Sequence, residues 1–513
     1  VRALVTENIG KKGVRILEEE DIEVVFAEGK RIEEELPSCE AMIVRSNTKV
    51  TRALIDNGIR LKVIARAGTG VDNIDVPYAT QKGIFVVNAP AGNTISVAEH
   101  TLGMMLALSR NILATSLMLR KGEWDRKTGI ELYGKTVGII GLGKIGFEVA
   151  KRCQCFGCTI LAHDPFASRE ACERACVMPV ELDELLRKSD VVTVHVPLTD
   201  STRNLISARE LSIMKPSAIV VNCARGGIIN EDDLYDALKA GKIWGAAMDV
   251  FEKEPTETRL IQLDNFLGTP HIAGSTEEAL ERVSEITAIN VAGILKERRY
   301  SGIVNLNFSL DAPPDISPFF ELAEKIGLLH SNLMEGNVKK IEITLSGRLC
   351  DYRKAIESSL LCGLLAEKRE EVNILNAVQV AEESGIERTE ADVEPRSFRE
   401  EIGVRVTSDV ENEVRGTIFG NRFQRIVRIN RYILDFYPEK TVLLIENNDA
   451  PGVIGRIATL LGEQGINIAE WRTGRFKDRA FAAVNLDGRL DDKILYSIRN
   501  LDDIIRAIQI NFG

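Results

Sequence analysis

The chain has 513 residues, too many for one hydrophobic core to organise, so three or four domains are expected. Its composition, 44% apolar, 27% charged and 5% aromatic, excludes a chain that stays disordered for want of a core. Lys and Arg number 65 against 76 Asp and Glu, a formal charge of −11 that disfavours nucleic acid as a partner. No uninterrupted apolar run approaches membrane-spanning length, and Val1 to Asn8 reads as a short strand rather than a targeting leader. A cytoplasmic protein with no membrane partner is expected. The nine cysteines are an odd, scattered set that fits reduced thiols. Cys153, Cys155 and Cys158 cluster, but they straddle a helix end and a strand start and read as small buried hydrophobes, with no metal site.

From Arg2 to about Asn93, apolar runs (ALVT, EVVF, AMIVRS, KVIARA, IFVVNA) alternate with helical stretches, the pattern of βαβ units around a parallel sheet. Val97 to Leu113 carries apolar residues at helical spacing and predicts one long connecting helix. A second α/β pattern opens at TVGIIG (136–141), continues through TILAHD, VVTVHV, AIVVNCA, GAAMDV and FLGTPH, and ends near Gly274. A helical run from Glu277 to about Arg298 follows. If it packs back on the first sheet, the chain crosses twice between two lobes and leaves a cleft. The proline-dense stretch from Asp311 to Pro318 reads as a linker.

Beyond it, residues 305–437 mix strands (KIEITLSG, RGTIFG, RIVRIN) with helical runs and contain no catalytic motif. Arg422, Arg425, Arg428 and Arg431 fall within ten residues there. Simple alternation sends Arg425 and Arg428 to opposite faces of a strand, leaving either scattered surface charge or an anion pocket completed by a neighbouring domain or subunit. The last segment reads strand, helix, strand, strand, helix, strand, a βαββαβ order. The expected fold class is α/β: two Rossmann-like or flavodoxin-like lobes with a cleft, then an α+β intervening domain, then the βαββαβ domain. The expected division is 1–94 plus 281–304 for substrate, 95–280 for dinucleotide, 305–437 intervening, and 438–513 regulatory.

GLGKIG places Gly141, Gly143 and Gly146 between a strand and an amphipathic helix, where glycines permit a tight turn, approach of backbone to a pyrophosphate, and close helix packing. The next strand ends in Asp164, near the distance at which a carboxylate bonds ribose hydroxyls. A carboxylate there repels a 2′-phosphate, and Pro165-Phe166-Ala167 offers no arginine to accept one, so NAD is favoured over NADP. GTGVDN (68–73) lacks the third glycine and reads as a substrate loop.

Of the five histidines, His163 and His100 read as structural, His195 ends a strand at the cofactor edge, and His271 follows Pro270 beside a glycine turn. His271 is the leading acid/base candidate, with His195 second as a cofactor-lining residue. Arg225 sits in a glycine-rich turn after a strand, able to grip a carboxylate through two parallel bonds, though a surface arginine reads equally well. Glu254 follows another strand end, where a solvated loop carboxylate is the plainer reading.

The stretches RAGTGVDNID (66–75), GNTISVAEHT (92–101), GLGKIG (141–146), HVPLT (195–199), NCARGG (222–227), MDVFEKEP (248–255) and PHIAGST (270–276), in this order, resemble the D-2-hydroxyacid dehydrogenase family from about Arg2 to Ile303. The resemblance implies that Arg225 holds the carboxylate and polarises the C2 oxygen, His271 is the acid/base, and Glu254 orients it. It implies that Thr69, Lys144, Ile145, Val196, Pro197, Thr202, Cys223, Ala224, Asp249 and Gly274 line the NAD site with His195 and the turn glycines. HIAGS stands where the family usually has HLGAS, two small residues exchanged beside the nicotinamide.

Length and the C-terminal half resemble the long branch of the family, which oxidises D-3-phosphoglycerate to 3-phosphohydroxypyruvate and opens L-serine synthesis. Arg45, Ser46 and Asn93 match family positions facing the substrate phosphate; for Arg45 a surface salt bridge is the alternative. Residues 445–475 resemble the ACT amino-acid-sensing domain, which implies an effector, L-serine, held between two such domains by Asn447, Asp449 and Asn467, and hence a homodimer or homotetramer. The rival functions are a dehydrogenase for a glycerate- or glyoxylate-type acid and a non-catalytic NAD-sensing corepressor.

Overall fold

The computed structural model describes residues 1–513 other than 30, 298–301, 311, 367–371, 394–397, 421 and 513. Strands β1 (Arg2–Val5), β2 (Glu23–Phe26), β3 (Ala41–Val44), β4 (Val63–Arg66) and β5 (Phe85–Asn88) form a parallel sheet in the order β2-β1-β3-β4-β5. Ala3, Ile43, Ala65 and Val87 enter the core on one face, and Leu4, Met42, Ile64 and Val86 the core on the other. Burial on both faces is why these runs are continuously apolar rather than alternating.

A second parallel sheet contains β6 (Thr136–Ile140), β7 (Thr159–His163), β8 (Met178–Pro179), β9 (Val191–Val194), β10 (Ile219–Asn222), β11 (Gly245–Met248) and β12 (Phe266–Gly268). Its order is β12-β11-β10-β9-β6-β7-β8, which reverses direction between β6 and β9 and so opens a crevice at their carboxyl ends. The two lobes are joined twice. The connection predicted as one helix over 97–113 is two, Thr94–Ser109 and Ile112–Arg120, bent by 62°. Asn111 between them is left-handed (φ 53), a conformation that ends the hydrogen-bond ladder and that asparagine tolerates. Helix Glu277–Ala292 returns to the first lobe, where Val283, Ala288 and Val291 enter its core and the Gly13 N–H donates to Ser284 Oγ at 2.8 Å. The helical run continues as a π-helical turn, Gly293–Glu297, and Arg298 lies outside the described residues.

Asp311 also lies outside them, but the rest of the proline-dense stretch is anchored. Ile316 is fully buried and Pro318 opens helix Pro318–Leu333, where its missing N–H leaves no bond unmade. The sheet that follows has six strands, β13 (Lys340–Leu345), β14 (Glu387–Asp392), β15 (Ile402–Thr407), β16 (Glu411–Phe419), β17 (Phe423–Ile429) and β18 (Tyr432–Phe436), in the order β14-β13-β15-β16-β17-β18.

Here the strict alternation expected for the arginines fails. Arg425 pairs with Thr417 and Arg428 with Arg415, so a bulge absorbs Val427 and brings Arg425 and Arg428 to the same face. Arg425 is engaged locally, its guanidinium 3.3 Å from the Tyr437 ring centroid and 3.3 Å from Asp435 Oδ1. Arg431 lies against Tyr432 and Phe476. Both guanidiniums thus have partners within the chain.

The last sheet contains β19 (Thr441–Asn448), β20 (Ile468–Phe476), β21 (Arg479–Leu486) and β22 (Ile504–Asn511), antiparallel in the order β20-β21-β19-β22, with helices Val453–Glu463 and Asp492–Arg499. Among the described residues no single helix is long and apolar enough to cross a membrane, and no group of three metal-ligating side chains occurs. Cys153 and Cys158 are buried in an apolar core, whereas Cys155 is exposed, a departure from the buried trio expected.

Candidate active site

The carboxyl ends of the strands in both lobes face a cleft of about 1030 Å³. At its dinucleotide side the chain leaves β6 through Gly141, whose φ of 93 is open to glycine alone at low cost. A Cβ at Gly146 would collide with the Gly141 carbonyl, and one at Gly143 would meet nothing, so the turn is tight toward the protein and open toward a ligand. Helix Lys144–Cys155 begins there with no side-chain cap on its first N–H groups, an arrangement that suits a pyrophosphate. Asp164 Oδ2 accepts from Leu142 N at 2.8 Å and Oδ1 from Phe166 N at 2.9 Å, which fixes the carboxylate at the edge of the turn. Burial pushes the His195 pKa down to about 4, so its ring is neutral, and its Nδ1 lacks a hydrogen-bond partner among the described residues. An orphaned polar atom beside an open glycine turn fits a dinucleotide.

Across the cleft His271 Nδ1 donates to Glu254 Oε2 at 2.7 Å, and Glu254 Oε1 accepts from Phe251 N at 3.0 Å. His271 itself is left-handed (φ 54), rare for a residue with a Cβ and costly unless its surroundings enforce it. They do: His271 N donates to the Asp249 carbonyl at 2.8 Å, and the Asp249 carboxylate, fully buried, accepts from Ile272 N and Ala273 N, both at 2.8 Å. Arg225 reaches from the second lobe to the first, with Nε 3.3 Å from Asp72 Oδ2. A Cβ at Gly70 would collide with its Nη2, so the GTGVDN loop is glycine-rich to admit the guanidinium.

Arg45, Ser46, Thr69, Asn93, Ile145, His195, Val196, Pro197, Cys223, Ala224, Asp249 and Gly274 line the same cleft as Arg225, Glu254 and His271. Thr69 Oγ1 donates to Asn93 Oδ1 at 2.8 Å, tying the substrate loop to the inter-lobe helix. Gly141, Gly143, Lys144, Gly146 and Asp164 lie outside that lining, on the turn and strand end beside Ile145, and so does Thr202, whose hydroxyl donates to the Pro197 carbonyl at 2.6 Å and holds the loop that lines it.

Relatives match at full length. D-3-phosphoglycerate dehydrogenase of Methanocaldococcus jannaschii is 40% identical, with 100% of both chains covered, and that of Archaeoglobus fulgidus is 42% identical over 99% of this chain and 100% of its own. The chain belongs to the D-3-phosphoglycerate dehydrogenase family. Residues 102–273 match the D-isomer specific 2-hydroxyacid dehydrogenase NAD binding domain, and 315–430 the D-3-phosphoglycerate dehydrogenase intervening domain. Among solved structures, D-lactate dehydrogenase from Aquifex aeolicus, complexed with NAD and lactic acid, is 31% identical over 59% of this chain and 99% of its own, with a TM-score of 0.53. The apo D-lactate dehydrogenase of Escherichia coli covers the same shares with a TM-score of 0.54. The protein is an NAD-dependent D-2-hydroxyacid dehydrogenase of mixed α/β fold.

Among the cleft residues that the sequence left without a role, Arg66 carries a charge. Arg66 ends β4 and lines the cleft beside Arg45 and Arg225; burial first, then the Arg225 charge, pull its pKa below the usual guanidinium range. Its Nε is buried without a hydrogen-bond partner among the described residues. The signal was present in Gly68, where a Cβ would collide with the Arg66 guanidinium. The residues expected to hold an effector are apart. Asn447 lies on β19, Asn467 precedes β20 with β21 between, and Asp449 Oδ1 pairs with Arg475 Nε at 3.4 Å. Asn447 Nδ2 donates to the Asn448 carbonyl at 2.6 Å, and Asn467 Nδ2 to Asp487 Oδ2 at 2.6 Å.

Proposed function

We propose that this dehydrogenase oxidises D-3-phosphoglycerate to 3-phosphohydroxypyruvate, the first step of L-serine biosynthesis. The observation that carries the reading is one cleft that holds the His271–Glu254 pair, a carboxylate-gripping Arg225, and two further guanidiniums, Arg45 and Arg66. A substrate with a carboxylate, a hydroxyl and a phosphate matches those three groups. Arg225 grips the carboxylate and polarises the C2 oxygen. His271, with Nδ1–H donated to Glu254, presents a bare Nε2 that takes the C2 hydroxyl proton and later releases it to solvent. Bound NAD would supply the acceptor for the hydride that leaves C2. Arg45, Arg66, Ser46 and Asn93 receive the phosphate. Gly141, Gly143, Lys144, Ile145 and Gly146 would hold the dinucleotide, with Asp164 at the ribose, while Thr69, His195 to Pro197, Cys223, Ala224, Asp249 and Gly274 would complete its bed and Thr202 would hold the 195–199 loop in place. Residues 1–94 and 281–304 form the substrate lobe, 95–280 the NAD lobe, and 305–437 and 438–513 the regulatory half.

NADH formation with phosphoglycerate against unphosphorylated glycerate tests the substrate; equal kcat/KM would favour the glycerate-type reading, and no turnover with either the sensor reading. We further propose a homodimer or homotetramer in which L-serine binds between two copies of 438–513. The separation of Asn447 from Asn467 within one chain supports a site that needs a second copy. A monomer by light scattering, or activity unmoved by serine, would overturn this. The nine unpaired cysteines support a reducing, cytoplasmic location.

A further inference from the structure

The hydroxyl of Thr269 has a single proton, and it is committed to Asp249 Oδ1 at 2.6 Å. The same oxygen lies 3.2 Å from His100 Nε2, so it must accept there and His100 must carry its proton on Nε2. His100 Nε2 is also 3.6 Å from Asp249 Oδ1. The direction of the chain is therefore His100 to Thr269 to Asp249. Asp249 in turn receives Ile272 N, Ala273 N and, at its carbonyl, His271 N. It thus clamps both sides of the left-handed His271. His100 belongs to helix Thr94–Ser109, the helix that carries the chain from one lobe to the other, and not to the strand-end turns that hold the rest of the site.

We propose that His100 is a positioning residue for the reaction, acting through Thr269 and Asp249 to keep the His271 turn in its strained conformation. A buried carboxylate is held only as well as its donors are held. Without the His100 donor the Thr269 oxygen keeps only a contact with Met104 Sδ, 4.0 Å away, on that helix, and the Asp249 carboxylate loses the support behind one of its three donors, Thr269 Oγ1, Ile272 N and Ala273 N. The His271 backbone is then free to relax from φ 54, and Nε2 leaves the point at which it meets the C2 hydroxyl. The carboxylate and phosphate grips lie on other elements and are untouched, so the defect falls on turnover rather than on substrate affinity.

The inference rests on reading His271 as the acid/base, so His271→Ala is measured alongside. His100→Leu keeps the apolar bulk and removes the donor; His100→Gln restores an N–H at the same reach. The expected result is a kcat lowered about tenfold in H100L, since displacement of a reacting group by a fraction of an ångström costs rate steeply. KM for phosphoglycerate stays within twofold, and H100Q recovers wild-type kcat within twofold. Thr269→Val cuts the same link, so adding H100L to T269V should change kcat no further. Wild-type kcat in H100L with H271A inactive would overturn the role of His100 alone. An active H271A would overturn the acid/base reading itself. Equal losses in H100L and H100Q, or additive losses in the double variant, would reduce His100 to packing and end the proposal.

Discussion

Glu254→Gln is the sharpest probe of the proton-transfer geometry. Glu254 uses both oxygens as acceptors, one for Phe251 N at 3.0 Å and one for His271 Nδ1 at 2.7 Å. Glutamine has one acceptor and one donor, so it cannot serve both. Phe251 is buried, and leaving its N–H without an acceptor costs about 1–3 kcal/mol, whereas His271 can answer a donor by shifting its proton to the other nitrogen. The carbonyl oxygen of the introduced amide therefore turns to Phe251, its NH₂ group faces Nδ1, and His271 is held as the Nε2–H tautomer. That nitrogen then has no lone pair for the C2 hydroxyl. Removing a correctly protonated general base costs about 10² to 10⁴ in rate, equivalent to roughly 3–5 kcal/mol at 1.36 kcal/mol per decade. Steady-state kinetics at neutral pH should show kcat reduced by that factor, with KM for substrate within severalfold because Arg225 is unaltered. Turnover within fivefold of wild type would refute the tautomer argument.

Arg225→Lys should lower kcat/KM about 10- to 100-fold, the worth of one charge-assisted bond that lysine cannot duplicate, with NADH affinity by fluorescence titration nearly intact; undiminished turnover would remove Arg225 from the site. Asp164→Ala deletes both the charge and the acceptor for Leu142 N, so NAD should weaken about 10-fold or more and the NADP/NAD ratio of kcat/KM rise; an unchanged ratio would count against a ribose contact. Arg66→Met should raise KM for phosphoglycerate while leaving the slow rate on glycerate alone, and equal effects on both would place Arg66 away from the phosphate. His330 is fully buried, and desolvation lowers its pKa from 6.5 to about 4. The folded state holds it neutral while the unfolded chain binds a proton below 6.5, so stability is complete above that pH and is lost as pH falls toward 4. The span of 6.5 − 4 = 2.5 pH units corresponds to about 3 kcal/mol at 1.36 per unit. His330→Leu should flatten the fall in Tm between about pH 7 and pH 5; an identical fall would assign acid lability elsewhere.

The dinucleotide turn and the leading place of His271 were legible because each stands at a strand end within a short local pattern, whereas Arg225 and Glu254 took their expected roles from the family resemblance; the βαββαβ segment was legible because its strands and helices alternate at simple periods. The paired arginines of β17 were misread because a bulge is a property of two strands in register, which one strand does not reveal. Arg66 received no role and His100 was read as structural for a related reason. An arginine closing a strand and a histidine on an apolar helix look the same whether or not a cleft or a buried carboxylate lies opposite.

What the sequence by itself determined is therefore the local chemistry: where glycine must replace any side chain, where apolar runs demand burial on both faces, and which titratable groups sit at the carboxyl edges of strands. What only the tertiary structure decided is which of them meet. The return of Glu277–Ala292 onto the first lobe closes the cleft, and the left-handed His271 is tolerated because consecutive backbone donors as far as 24 residues beyond Asp249 in the chain converge on it. Such long-range contacts rest on packing of whole lobes, whose geometry no local window of sequence encodes.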